Sequence, residues 1–176
     1  MSDVHAGNFK EIGRRSIRLQ NYDYTSAGAY FVTICTWRRA CLFGSILEGR
    51  SLLSPRGVVV REEWLRTAEI RRGVQLDNFV IMPNHLHGIL VLSGSSFTHG
   101  SVTRAGCTFR RPGSLGSIVA AFKQAVTIRL RRLGESSRQI WQRNYFERVI
   151  RNEAELFRLR RYISENPRRW VGTPAA

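Results

Sequence analysis

Cysteine is scarce in this chain: Cys35, Cys41 and Cys107 are the whole complement, and no two of them form a Cys-x-x-Cys pair. An odd, scattered set of thiols supports neither a disulfide framework nor a structural zinc site, and points to reduced cysteines. No apolar run approaches the roughly 20 residues that a membrane-spanning helix requires, so no membrane role is expected. The opening stretch, MSDVHAGNFKEIGRR, lacks the apolar core of a secretory signal, which makes a cytoplasmic protein the expectation. Lysine is almost missing, with Lys10 and Lys123 standing against 26 arginines. Acidic residues number 13, and none falls between Asp77 and Glu135. Histidine occurs four times, at positions 5, 85, 87 and 99.

What the chain has in excess is positive charge, a formal net of +15 at pH 7 with a pI near 11.3. A field of that sign favours a polyanionic partner, and guanidinium forks match phosphate oxygens and stack on bases. Arginine-rich codon usage explains arginine over lysine but not an acid-free stretch of that length. No segment pairs an all-basic face with a broad apolar one, so nucleic acid is favoured over a membrane surface. At 176 residues the chain is read as one domain, 1–176.

Hydrophobic periodicity divides the chain into seven elements. Ala29 to Trp37, AYFVTICTW, alternates aromatic and β-branched residues and reads as a strand. Ser54-Pro55 opens a helix to about Arg72, and Leu76 to Met82 and His85 to Leu92 read as two strands joined at Pro83-Asn84. Residues 93–113, rich in Ser, Gly, Thr and Arg, read as a flexible loop. Apolar residues from Leu115 to Leu133 recur at helical spacing, with Gly134 as a stop. A short strand over 145–150 and a helix from Asn152, ending at Pro167, complete the pattern. The order predicts an α+β fold, a mainly antiparallel sheet with helices over one face.

His85 and His87 sit one residue apart at the head of the third strand, so both point to one face while Leu86 points to the other. A shared cation would favour that pairing by holding both imidazoles neutral. On the H-x-H pattern alone, a hydrogen-bonded or solvated pair of histidines fits equally well. Two ligands do not complete a metal site, and no carboxylate lies nearby in sequence. In RRYISENPRRW, residues 160–170, Tyr162 and Asn166 are four apart and share one helix face beside an apolar stripe of Leu156, Leu159 and Ile163. Packing and helix termination account for that pair more readily than chemistry does.

Four segments together, YDYTSAGAYFVTICTWRRACLFG, LDNFVIMPNHLHGILVL, the helix after the loop, and IWQRNYFERVIRNEAELFRLRRYISENPRRW, resemble the REP-associated tyrosine transposases. These are single-tyrosine members of the HUH endonucleases, related to insertion-sequence transposases. The resemblance runs from about Arg14 to Trp170, and its specificity comes from H-x-H followed downstream by Y-I-x-x-N-P. It implies a ferredoxin-like core bearing an extra C-terminal helix with the nucleophile, which falls on Tyr162. It implies metal ligands at His85, His87 and Asn166, with Mg²⁺ or Mn²⁺ suited to such neutral nitrogen and oxygen donors. The activity implied is cleavage and rejoining of single-stranded DNA at hairpin-forming repetitive palindromes, through a 5′-phosphotyrosine intermediate, by a nucleoid-associated monomer or homodimer. Arg143, Arg148, Arg151, Arg161 and Lys123 are candidate DNA contacts, with Trp141, Tyr145 and Phe146 as possible stacking surfaces. The rival reading is a non-catalytic single-stranded nucleic-acid-binding domain of the same fold.

Overall fold

The computed structural model describes Asp23 and residues 25–94, 113–136 and 139–171. Four strands, β1 (Gly28–Cys35), β4 (Val74–Met82), β5 (His85–Leu92) and β6 (Phe146–Ile150), form an antiparallel sheet in the order β4-β5-β1-β6. Helix α1 (Pro55–Glu69) joins β1 to β4, and α2 (Leu115–Arg132) joins β5 to β6. This β-α-β-β-α-β succession with β5 and β1 at the centre is the ferredoxin-like arrangement. A third helix, α3 (Glu153–Glu165), follows β6 and runs into a 3₁₀ turn, Asn166–Arg169.

Strand alternation explains how the layers divide. Tyr30, Val32 and Ile34 of β1 and Leu86, Leu90 and Leu92 of β5 face one side, where they join Val60, Trp64, Phe122 and Val126 from α1 and α2 in the main core. The intervening residues Phe31 and Ile89 face the other side and meet Ile163 of α3, with Leu156 and Leu159 packed beside them. The sheet is thus sandwiched, two helices on one face and α3 alone on the other. Gly88 lets Trp64 lie flat on β5: a Cβ there would come 2.5 Å from Trp64 Cζ2.

Sequence signals at the helix ends act as expected. Ser54 and Ser114 accept hydrogen bonds from Gly57 N and Ser117 N, and Asn152 Oδ1 accepts one from Glu155 N at 2.9 Å. Gly134, at φ 88°, takes the left-handed conformation that ends α2. The structure also contains an element that the sequence pattern does not announce, a hairpin of β2 (Gly44–Leu47) and β3 (Arg50–Leu53). Its two-residue turn places Glu48 (φ 50°) and Gly49 (φ 71°) in the left-handed region, a turn type matched to strand twist. Of the segment read as a flexible loop, residues 95–112 lie outside the described residues.

Candidate active site

The site begins at the turn before β5. Thr36 N and Thr36 Oγ1 both donate to Asn84 O, at 2.9 Å each, tying the end of β1 to the Pro83-Asn84 turn. Asn84 is itself buried, and its Nδ2 donates to Arg39 O at 3.1 Å. A carbonyl can only accept, so this bond fixes the amide and aims Oδ1 at His85 Nδ1, 2.6 Å away. His85 therefore carries its proton on Nδ1 and leaves Nε2 bare. His87 stands opposite Thr33 in the β1–β5 register, and its Nδ1 lies 2.8 Å from Thr33 Oγ1. That hydroxyl can donate or accept, so His87 is free to take either tautomer.

The two Nε2 atoms face each other at 3.0 Å. Two bare lone pairs at that separation repel. Either His87 supplies a proton to bridge them, with Thr33 donating to Nδ1, or a cation lies against both. Each imidazole is only 6% exposed. Burial, aided by the charge of Arg39, holds His85 down to about 4. Burial, then His85 and Arg39, take His87 down to about 2. Both rings are thus neutral donors at physiological pH.

Helix α3 brings the tyrosine to this pair. Ile163 anchors the helix in the smaller apolar cluster, which leaves Tyr162 at its rim, 39% exposed. The Tyr162 hydroxyl lies 3.4 Å from His87 Nε2, and its ring sits edge-on to His87 and Phe31. Phe31 in turn stacks on His87 with ring centroids 5.3 Å apart. Past the helix end, Trp170 packs against His85, centroids 6.0 Å apart. The chain from Tyr162 to Trp170 therefore passes across both histidines, and Asn166 lies within that passage as the first residue of the 3₁₀ turn. Among the described residues the Asn166 side chain makes no hydrogen bond. No group of three or more His, Cys, Asp or Glu side chains suited to a metal occurs among the described residues.

The other described tyrosines, Tyr30 and Tyr145, lie away from the histidines. Tyr30 is fully buried and donates to Ser26 O, and Tyr145 packs against the main core on the opposite side of the sheet from the histidines. Tyr22 and Tyr24 lie outside the described residues. The candidate DNA contacts are dispersed. Arg148 pairs with Glu155 at 2.6 Å and Arg161 with Glu165 at 2.6 Å, each with its side chain largely exposed. Arg151 and Arg143 are exposed. Lys123 Nζ donates to Gln142 O and Asn144 O, so that ammonium holds the segment before β6 in place. Trp141 is buried among Phe43 and Phe122, which removes it as a stacking surface, whereas Phe146 is exposed beside Phe31.

Sequence reasoning missed Thr33, Asn84, Phe31 and Trp170. Thr33 was recoverable in principle, since pairing β1 with β5 sets it opposite His87; the other three carry no signal until the strands and the helix are in place.

No protein-family model matches the chain. An uncharacterised protein of Haemophilus influenzae is 38% identical over 162 residues, which span 89% of each chain. The chain belongs to the same family as that protein. Among solved structures, a REP-associated tyrosine transposase bound to a REP hairpin matches with a TM-score of 0.59 at 19% identity, over 87% of this chain and 74% of that one. The chain shares the fold of that transposase, an antiparallel α+β sheet with a C-terminal helix, and no helix among the described residues is long and apolar enough to cross a membrane.

Proposed function

We propose that this chain is a single-stranded DNA endonuclease and strand transferase of the REP-associated tyrosine transposase type, acting at hairpin-forming palindromes. The observation that carries this reading is the convergence of the Tyr162 hydroxyl on the neutral pair His85 and His87. The net charge of +15 and the REP hairpin held by the fold's solved neighbour support a nucleic-acid substrate.

The donor set fits a hard divalent cation of the Mg²⁺ or Mn²⁺ kind. With metal–ligand bonds of about 2.1 Å, neighbouring positions of an octahedron lie about 3.0 Å apart and those of a tetrahedron about 3.4 Å. The Nε2 atoms stand at 3.0 Å. His85, His87 and the uncommitted amide of Asn166 would hold the ion, and all three are neutral, so its full charge would polarise a phosphate oxygen.

The residues do the rest. Asn84 fixes His85 in the tautomer that presents Nε2, and Thr33 adapts to the tautomer of His87. Phe31 lies edge-on to the phenol ring, and Ile163 seats the helix that carries it. The Tyr162 oxygen attacks phosphorus, the bond to the 3′ oxygen breaks, and the chain is left joined to a 5′ phosphate. The proton lost by the phenol balances the one gained by the departing 3′ hydroxyl. The phosphotyrosine keeps the energy of the phosphodiester, so the reverse attack by a 3′ hydroxyl reseals the strand without a nucleotide cofactor.

The test uses labelled hairpin DNA with single-stranded flanks and Mn²⁺. Wild type should form an adduct that survives boiling in SDS, and EDTA or Tyr162→Phe should abolish it together with the nick. An adduct that persists in Tyr162→Phe refutes the assignment, and tight binding with no adduct under any condition leaves a non-catalytic binding domain.

A further inference from the structure

Tyr162 has a second neighbourhood. Its hydroxyl reaches His87, while its flank helps to line a cavity of about 340 Å³ together with Arg148, Glu155, Arg158 and Leu159. The cavity lies between β6 and α3, and no step of the proposed reaction uses it. That volume falls in the range of small-ligand sites.

Its lining has an uneven chemistry. Glu155 brings two carboxylate oxygens, each already engaged by the protein: Oε2 accepts from Arg151 N at 3.0 Å and Oε1 from Arg148 Nε at 2.6 Å. The Arg151 amide and the arginines around it hold this carboxyl below the usual range, so it stays ionised and offers no donor. The remaining polar groups are guanidinium N–H donors from Arg148 and Arg158. Leu159 and the Tyr162 ring supply apolar surface. A ligand that fits presents acceptors to the guanidinium edge and a flat apolar face beside it.

Among the parts of a DNA strand, the Hoogsteen edge of guanine meets both demands, with O6 and N7 as adjacent acceptors on a planar ring. Adenine places an N–H₂ donor at the corresponding position, and cytosine likewise exposes one. Arg148 is prepared for this reading because Glu155 engages its Nε and fixes the fork, leaving the terminal nitrogens to donate.

We propose that this cavity is a base-reading pocket for the nucleotide on the 3′ side of the scissile phosphate, and that Arg148, held by Glu155, selects guanine there. The proposal rests on the reading of Tyr162 as nucleophile only for which nucleotide enters: the one whose 5′ phosphate becomes attached to the tyrosine is the one delivered to its flank.

The experiment measures two quantities on the full chain: equilibrium affinity by fluorescence anisotropy, and the yield of SDS-stable adduct. The substrates are hairpin oligonucleotides that carry guanine, adenine, cytosine, thymine or 7-deazaguanine at one flank position at a time. One position should show guanine favoured about tenfold or more in affinity, and 7-deazaguanine, which lacks N7, should lose most of that gain. Arg148→Gln should level the bases at that position, with melting temperature checked to exclude unfolding. Arg148→Lys should level them too, because it keeps the charge but not the fork. Equal affinity for all bases in wild type, or a guanine preference intact in Arg148→Lys, overturns the pocket and assigns the cavity to backbone phosphate. If no adduct forms but the Arg148-dependent preference is present, the pocket stands and the nucleophile assignment falls. If adduct forms with no base preference, the reverse holds.

Discussion

Lowering the pH from 6 to 5 is expected to destabilise the protein by roughly 2 kcal/mol through the buried histidine pair alone. In the unfolded chain a histidine titrates near 6.5. In the fold His85 is held down to about 4 and His87 to about 2. A depressed folded value means that stability is intact above the unfolded value and is lost as the pH falls toward the folded one, because only the unfolded state takes up the proton. Each histidine contributes at most about 1.4 kcal/mol per pH unit, and slightly less between 6 and 5, where the unfolded imidazole is not yet fully charged. Asp77, Glu155 and Glu165, whose folded values are also lowered, shed stability only below the ordinary carboxylate range, outside this window. Urea unfolding at constant ionic strength with EDTA, at pH 7, 6 and 5, measures the effect, and His87→Gln should remove about half of the change. Adding Mn²⁺ should steepen the pH dependence, since protons and cation then compete for the same nitrogens. A wild-type unfolding free energy that is flat between pH 7 and 5 would show that the pair is not held neutral by the fold.

Asn84→Ala removes the acceptor that fixes the His85 tautomer and is expected to lower Mn²⁺ affinity about 10- to 100-fold, read by calorimetry; unchanged affinity would mean that His85 is oriented by other means. Gly88→Ala drives a methyl into Trp64 and should cost about 1–3 kcal/mol, lowering the melting temperature by several degrees, whereas an unshifted melt would show that the indole moves at no cost. DNA affinity should fall with salt at a log–log slope near −4 if about six phosphates are neutralised on a single strand, and a flat response would mean that the charge excess does not contact DNA.

The parts of the fold legible in the sequence are those in which one face of an element repeats a single chemistry. β5 follows its sequence segment, His85 to Leu92, because turn residues, Pro83-Asn84 and Ser93-Gly94, bound a short apolar run that is buried on both faces. α2 and α3 follow theirs because Ser114 and Asn152 cap stretches of strict helical spacing. The β2–β3 hairpin has neither signal. Its strands are four residues long, and Leu47 and Leu52 face solvent, so no apolar alternation marks it. The site shows the same division. His85, His87 and Tyr162 belong to short spacings within one element, whereas Thr33 and Asn84 act through contacts set by strand register and by the folding of the Trp37–Arg39 turn onto β5. The dispersal of the basic candidates has a similar cause. Charge excess is a property of composition, but Glu155, Glu165 and the carbonyls of Gln142 and Asn144 decide which cations are engaged inside the protein.

The two faces of the sheet carry unequal shares of the apolar burial, and this bears on how the tyrosine is held. Among the described residues the α1–α2 side has 20 buried residues in one cluster, and the α3 side has three: Phe31, Ile89 and Ile163. The histidines occupy the α3 face of β5, where further apolar residues would otherwise stand. Polar contacts complete the docking of α3. Arg160 grips Asp77 with two hydrogen bonds, at 2.9 and 2.6 Å, next to the bulge between Leu76 and Phe79 that breaks the regular pairing of β4. Asn78 reaches Ser164 at 3.5 Å, and Arg148 holds Glu155 from the opposite edge of the sheet. Exposed ion pairs of this kind contribute little each and are screened by salt. Their value here is geometric: α3 is pinned at both sheet edges, β4 and β6, while Ile163 seats its middle. A helix fixed at those three places has little freedom to rotate about its axis, and rotation is the motion that would carry the Tyr162 hydroxyl away from His87.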